Sequence, residues 1–371
     1  MSRSMHVGVT WCLAVFLATA CTSNEPTSPV MSSAKGGKPG GGGGGASPPV
    51  GVSLGADVTS RAFAVNAGYA AGVDYPDTPG SAAAVWDAAG VPIHLPVDAA
   101  ATYSSAFGIN GANTVVGYAG ESAVVWQASG PGTWAMAAPL PAPDGTWQST
   151  RAYAINAEGR IAGTGIRSDG LSFALRWTPG AAGYTVEVIP AAGAEYEFVG
   201  HAIANGTGWV AGWVRRVVNG AVAKDAFVWT SSGAVLIPSR LNGAATEARG
   251  INASGRVVGW SATAPRGGDS SPVTWICTGS SCTGPSTLPT TARNINYAFS
   301  IDDAGDIVGT SGLSGMLWDR CGTATVLSPP AGWHQSYGWA ISGDGTAAVG
   351  YSYLDSSTLR ATRWTLPVPG C

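Results

Sequence analysis

The chain has 371 residues, of which only 11% are charged, and its formal net charge is −3. That balance, with no basic block anywhere, excludes a nucleic-acid surface built on phosphate contacts. Four His and six Cys lack the spacing of a metal centre, so neither a metal nor any other cofactor is expected.

Arg3 precedes an apolar run over residues 7–20, too short to span a bilayer comfortably. Small residues then lead into Cys21. Residues 1–20 are expected to be a signal peptide. Ala18-Thr19-Ala20-Cys21 fits a bacterial lipobox, although Leu is commoner than Ala at the third position before the Cys. Cys21 would carry the lipid and make the membrane a partner of an exported outer-membrane or cell-surface lipoprotein. Ordinary cleavage near Ala20 is the alternative. Residues 21–49, rich in Gly, Ser and Pro with a run of Gly at 40–45, have too few apolar side chains to offset ordering entropy, so a disordered tether is expected there.

Residues 50–371 carry seven copies of one unit. Residues 151–177, RAYAINAEGRIAGTGIRSDGLSFALRW, are its cleanest example. An Asn-like residue recurs at Asn66, Asn110, Asn156, Asn205, Asn252, Asp302 and Ser342, and a Trp at Trp86, Trp126, Trp177, Trp229, Trp275, Trp318 and Trp364. The Trp period averages about 46 residues, a length typical of propeller or solenoid repeats. Short runs of β-branched and aromatic residues between Gly, Asn, Asp and Pro read as strands.

Each copy resolves into four strands, a to d. Strand a runs into the Asn, strand b lies between two Gly, strand c carries the Trp, and strand d ends at a Leu-Pro or Ile-Pro step such as Leu95-Pro96 or Leu140-Pro141. The Asn opens a tight a–b turn, and the Gly three residues later supplies positive φ. Asn113 stands in for that Gly in the second copy, as the next best left-handed residue. Phe63, Phe107, Tyr153, Phe299 and Trp339 lie three residues before the turn, on one face with Val65, Ile109, Ile155, Ile301 and Ile341, while Ala and Gly line the other. The expected fold is all-β: a seven-bladed β-propeller of four-stranded blades with the seven Trp between blades.

The strings YAINAEGRIAG, RGINASGRVVG and SAFGINGANTVVG, each followed by a step ending in Trp, resemble the extracellular HAF-repeat family of bacterial envelope proteins. The resemblance spans residues 61–364 and implies an exported β-propeller. It implies no reaction. The histidine of that family's motif is mostly absent here.

In a four-stranded meander the b–c and d–a loops share one face. The variable segments 74–80, 98–105, 144–151, 191–201, 215–225, 264–271 and 333–337 belong to that face. Among their residues and flanks, Trp147, Arg151, Tyr196, His201, Tyr297, Trp333, His334 and Tyr337 are the candidate ligand contacts, by the rule that irregular loops on a rigid scaffold carry binding. Catalytic signals are weak: no nucleophile motif appears, and carboxylates such as Glu195, Glu197, Glu247 and Asp355 cannot be paired from sequence. Asp302, Asp303 and Asp306 cluster at one turn, short of the ligands that calcium would want. The leading expectation is a monomeric, non-catalytic envelope lipoprotein whose propeller binds a glycan or surface protein. A polysaccharide lyase or hydrolase on the same scaffold is the alternative.

Four Cys follow Cys21 in the exported body. Cys277 and Cys282 flank a four-residue turn and are expected to bridge a hairpin, which leaves Cys321 for Cys371. The last copy ends soon after Trp364, without a d strand of its own. Residues 50–54, VGVSL, alternate in polarity and lack a partner within the first copy. They are expected to cross to the C-terminal blade and close the ring, since an unpaired edge is a liability.

Overall fold

A computed structural model describes residues 48–367, apart from 56–58, 67, 76–79, 191–194, 219, 242–244 and 264–268. Cys21, the expected signal peptide and the expected tether lie outside the described residues. So does Cys371.

The described chain is all-β. A short first strand, β1 (Val52–Ser53), precedes a sheet of β2 (Thr59–Val65), β3 (Ala70–Tyr75), β4 (Ala82–Trp86) and β5 (Pro92–His94). The next sheet holds β6 (Ser104–Ile109), β7 (Val115–Ala119), β8 (Ser122–Gly130) and β9 (Thr133–Met136). Two further groups follow: β10 (Trp147–Ile155) to β11 (Ile161–Arg167), β12 (Ser172–Gly180) and β13 (Gly183–Val188); then β14 (Glu195–Ile203), β15 (Val210–Val218), β16 (Ala221–Trp229) and β17 (Val235–Leu236). A single parallel bridge, Ser172 to Glu197, joins these two groups into one eight-stranded sheet. Then come β18 (Thr246–Ile251), β19 (Arg256–Ala262), β20 (Ser270–Cys277) and β21 (Cys282–Thr287). They are followed by β22 (Asn296–Ile301), β23 (Ile307–Ser311), β24 (Ser314–Trp318) and β25 (Ala324–Leu327). The last sheet is β26 (Gln335–Ile341), β27 (Ala347–Tyr353) and β28 (Leu359–Thr365), with β1 as its fourth strand. Every sheet is open.

The a–b turns form as the residue types dictate. Asn156 Oδ1 accepts from Arg160 N, Gly159 has φ 78°, and Asn113 has φ 58°. The Asn does a second job. Its Nδ2 donates to the carbonyl at the equivalent turn of the next sheet: Asn66 to Asn110 (2.9 Å), Asn110 to Asn156 (3.2 Å), Asn156 to Ala204 (3.0 Å) and Asn252 to Asp302 (3.1 Å). Ala204, and not Asn205, therefore occupies the turn position of the fourth copy. Asn205 instead reaches Asp303 at 2.7 Å.

The repeat Trp residues are core. Trp86, Trp126, Trp177, Trp275, Trp318 and Trp364 are among the largest fully buried side chains. Five indole N–H groups donate to carbonyls just past the d strand of the preceding sheet: Trp126 to Pro96, Trp177 to Pro141, Trp275 to Ser239, Trp318 to Pro289 and Trp364 to Ser328, at 2.6–2.9 Å. Burying an indole costs less when its N–H keeps a partner.

Strand a departs from simple alternation. In all seven copies its register slips by one residue, at Phe63, Phe107, Tyr153, His201, Arg249, Phe299 and Trp339. Such a bulge re-aims one side chain. The aromatics were expected on one face with the apolar residue two positions on. Instead Val65, Ile109 and Ile341 enter cores between sheets, while the bulged residues turn toward one another. The second Gly of each copy permits the bulge: a Cβ on Gly163 would stand 2.0 Å from Arg151 O.

β1 pairs antiparallel with β28, Val52 opposite Arg363. Leu54 N then donates to Ala361 O at 2.8 Å. That is the register in which Leu95, Leu140 and Ile189 meet Ala83, Ala123 and Ala174 in their own sheets. Cys277 and Cys282 form the expected disulfide across β20 and β21. Cys321 is also disulfide-bonded; its expected partner falls outside the described residues.

Candidate functional site

The bulged residues make a continuous series of contacts. Phe299 stacks on Trp339 (4.6 Å between centroids), Trp339 tilts onto Phe63 (5.4 Å), and Phe63 stacks on Phe107 (5.0 Å). Phe107 meets Tyr153 edge-on (5.3 Å), and Tyr153 meets the His201 ring (5.3 Å). Arg249 Nη1 then lies 3.3 Å from His201 Nε2. Five members are aromatic hydrocarbons or phenol. Copies four and five alone place an imidazole and a guanidinium there.

Those two polar members are the floor of a charged cluster. Trp213, on β15, donates Nε1–H to His201 Nε2 at 3.0 Å. Lys224, on β16, hydrogen-bonds Glu247 on β18, and its Nζ stands 4.0 Å from the Trp213 ring centroid. Arg249 Nη2 lies 2.5 Å from the second Glu247 oxygen, at an angle unsuited to a hydrogen bond. Arg215, which is paired with Lys224 across the β15–β16 hairpin, bonds Glu197 at 2.9 Å. Glu247 is 2% exposed, while the Lys224 side chain keeps 22% of its surface.

Burial governs the protonation of this group. It pushes His201 well below 6.5, with Arg249 and Lys224 adding to the shift, so the ring is neutral. It lowers Lys224 to about 7, helped by the Arg249 and Arg215 charges and opposed by Glu197. It also lowers Arg249, to about 10. Two cations, a neutral imidazole and an amine able to exchange a proton near neutrality thus face one buried carboxylate. That is the equipment of acid–base chemistry on an anionic group.

The sequence candidates divide. His201 is in the cluster. Arg151 bonds Glu121 at 3.1 Å and lies over Tyr118 (4.3 Å), beside Tyr153 in the contact series. Burial raises Tyr118 to about 12. Tyr297 packs edge-on against Trp260 (5.6 Å). Tyr337 stacks on Tyr351 (5.2 Å), and Trp333 lies under Arg360, whose Cζ is 5.8 Å from its ring centroid. His334 is exposed at the start of that group. Trp147 packs edge-on against Phe173 in its own sheet and belongs to the hydrophobic core, away from these groups. Tyr196 falls in β14, with its side chain outside the described residues. Lys224, Arg249 and Trp213 were missed. Segment 215–225 was read as a loop, yet it is mostly two nine-residue strands, β15 and β16. The available signal was the break at His201 and Arg249 in an aromatic column.

Other groups are spent structurally. Asp302 Oδ1 accepts from Gly305 and Asp306, Asp306 pairs with Arg320, and Asp303 accepts from Asn205 and Ala253. A surface depression of about 300 Å³ lined by Arg256, Thr274, Ile276, Thr283, Gly284 and Ser286 shares no residue with the charged cluster.

No family model matches the chain, and no curated protein does. Solved structures do. Puromycin hydrolase aligns with a TM-score of 0.53 at 11% identity, covering 84% of this chain and 54% of its own. The chain therefore spans about half the length of that enzyme. Virginiamycin B lyase from Staphylococcus aureus aligns at TM-score 0.45 and 16% identity, covering 85% of this chain and 98% of that one. A gluconolactonase from Xanthomonas campestris aligns at 0.41 and 12%, with 87% and 99% covered. At these identities the likeness is one of fold. All three are enzymes, and on that finding the expectation of a non-catalytic binding module is withdrawn.

Proposed function

We propose that the chain is a catalytic seven-bladed propeller that cleaves a polysaccharide, with its site at His201, Lys224, Glu247 and Arg249. One observation carries this: the aromatic series is interrupted by His201 and Arg249 where Lys224 and Glu247 are also buried. Buried charges seldom stabilise a fold better than the apolar residues that fill the same place in the other copies. Their retention is better explained by chemistry.

The reaction this group suits best is elimination beside a uronate carboxylate. Arg249 and Arg215 would hold the substrate carboxylate and the charge that develops on it. The Lys224 amine would accept the proton from the adjacent carbon, and Glu247 would position both cations. Glu197 and Glu247 lie on neighbouring strand-a positions of two sheets, which supports glycoside hydrolysis as the second reading. The ring itself is supported by the Trp-to-carbonyl bonds between sheets and by β1, whose Leu54 takes the d-strand register beside β28. Membership of the HAF-repeat family and export with a lipid on Cys21 complete the proposal.

The test is to incubate the full chain with uronate-containing and neutral polysaccharides. Elimination would raise the ultraviolet absorbance of the unsaturated product, and Arg249→Met would abolish it. New reducing ends without that absorbance would make the enzyme a hydrolase. Neither signal on any polysaccharide would end the reading.

A further inference from the structure

The chain contains three lysines, Lys35, Lys38 and Lys224, and only the last lies within the repeats. Cationic side chains elsewhere in the repeats are all Arg. Surface positions ordinarily use Lys freely, because an ammonium is strongly hydrated. Here the single Lys of the repeats is placed where hydration is poorest.

Its surroundings are specific. From β14 come Glu197 and His201; from β15, Arg215 and Trp213; from β18, Glu247 and Arg249. The amine meets the Trp213 face at 4.0 Å on one side and the Glu247 carboxylate on another. Its side chain retains enough surface for a small molecule to reach it.

We propose that Lys224 is a nucleophilic amine that condenses with carbonyl compounds, such as the open-chain end of a sugar, to form an imine. The proposal concerns the same cluster but not the bond cleaved in the polymer. The balance is complete without an oxidant or reductant. Glu247 takes a proton from the Lys224 ammonium. The amine adds to the carbonyl carbon, the C–N bond forms, and the carbonyl π electrons pass to oxygen, which takes the proton from nitrogen. Glu247 returns its proton to that hydroxyl, which leaves as water. The product is the protonated imine and an ionised Glu247. Burial and two flanking guanidinium groups, by disfavouring the ammonium, keep a usable fraction of free amine near neutral pH.

The experiment uses the full chain, glycolaldehyde as probe and cyanoborohydride to trap the imine, with peptide mapping by mass. At pH 7 the adduct should form at Lys224 at least about tenfold faster than at Lys35 or Lys38, whose amines are expected to titrate near the ordinary lysine value. The Lys224 rate should climb between pH 6 and 8. Arg249→Met, which removes a neighbouring positive charge, should move that climb to higher pH. An unmodified Lys224, or one labelled no faster than Lys35 and Lys38, overturns the proposal. Trapping without polysaccharide cleavage would sink the proposed function alone, and cleavage without trapping would sink this inference alone.

Discussion

Trp213 donates its indole N–H to His201 Nε2 at 3.0 Å, and that one bond settles the state of the ring. Nε2 must be an acceptor, so the proton sits on Nδ1 and the imidazole is neutral. A charged ring would face Arg249 and Lys224 with no counter-ion of its own.

Stability should accordingly fall on acidification. The folded pKa of His201 is depressed below its unfolded value near 6.5. At lower pH the unfolded chain binds a proton that the native one refuses. The contribution is whole above about pH 7 and shrinks as pH drops through 6 and below. His201→Gln should flatten the melting temperature over that range. An unchanged acid slope in the variant would remove His201 as its source.

The charged cluster should prove dispensable for folding. Glu247→Leu alone leaves Lys224 and Arg249 facing each other without a carboxylate, a loss of about 3 kcal/mol. Adding Lys224→Met removes the orphaned amine and should recover most of that loss. Denaturant titrations of the single and double variants measure the coupling. Additive losses would mean that the pair is structural.

The bulge demands glycine. At Gly163 a Cβ would stand 2.0 Å from a backbone oxygen, whereas at Gly145 it would meet nothing within 4 Å. Gly163→Ala should cost about 3 kcal/mol or more, and Gly145→Ala should stay within about 0.5 kcal/mol. Thermal melts of the two decide it.

Leu54 is 1% exposed among Ala62, Val65 and Trp86, while Val52 on the same short segment is 64% exposed. Leu54→Ala should therefore cost about 2–4 kcal/mol, and Val52→Ala close to nothing. Equal effects would show that the β1–β28 seam bears no load.

Cys21→Ala should leave the protein exported but no longer membrane-bound, because acyl chains supply the anchoring. Partitioning into detergent reads this directly. A variant that still enters the detergent phase would refute the lipid anchor.

Much of the fold was legible because its rules are local and repeated seven times. An Asn followed by Gly makes the same turn wherever it occurs, and Asn113 took the left-handed conformation that its place in the pattern required. A Trp at constant spacing with a terminal Pro in each copy was enough to place the buried indoles. Cys277 and Cys282, five positions apart, had only a short turn to close. The bulge was invisible: one extra residue in a strand leaves the composition unchanged, and only pairing with β11 shows that Tyr153 stands outside the ladder.

The sequence by itself determined the repeat, the turns, the Trp core and the strand character, since each follows from conformational preference and periodicity within one unit. It could not decide the site. His201 and Arg249 are 48 residues apart, and Glu247 reaches Lys224 from 23 positions away. Sequence distance carries no record of which copies become neighbours or of how far a charge is withdrawn from water. The tertiary structure decided both. Stacking one sheet on the next set imidazole, guanidinium, amine and carboxylate within hydrogen-bonding reach, and burial then shifted the energies of their charged forms.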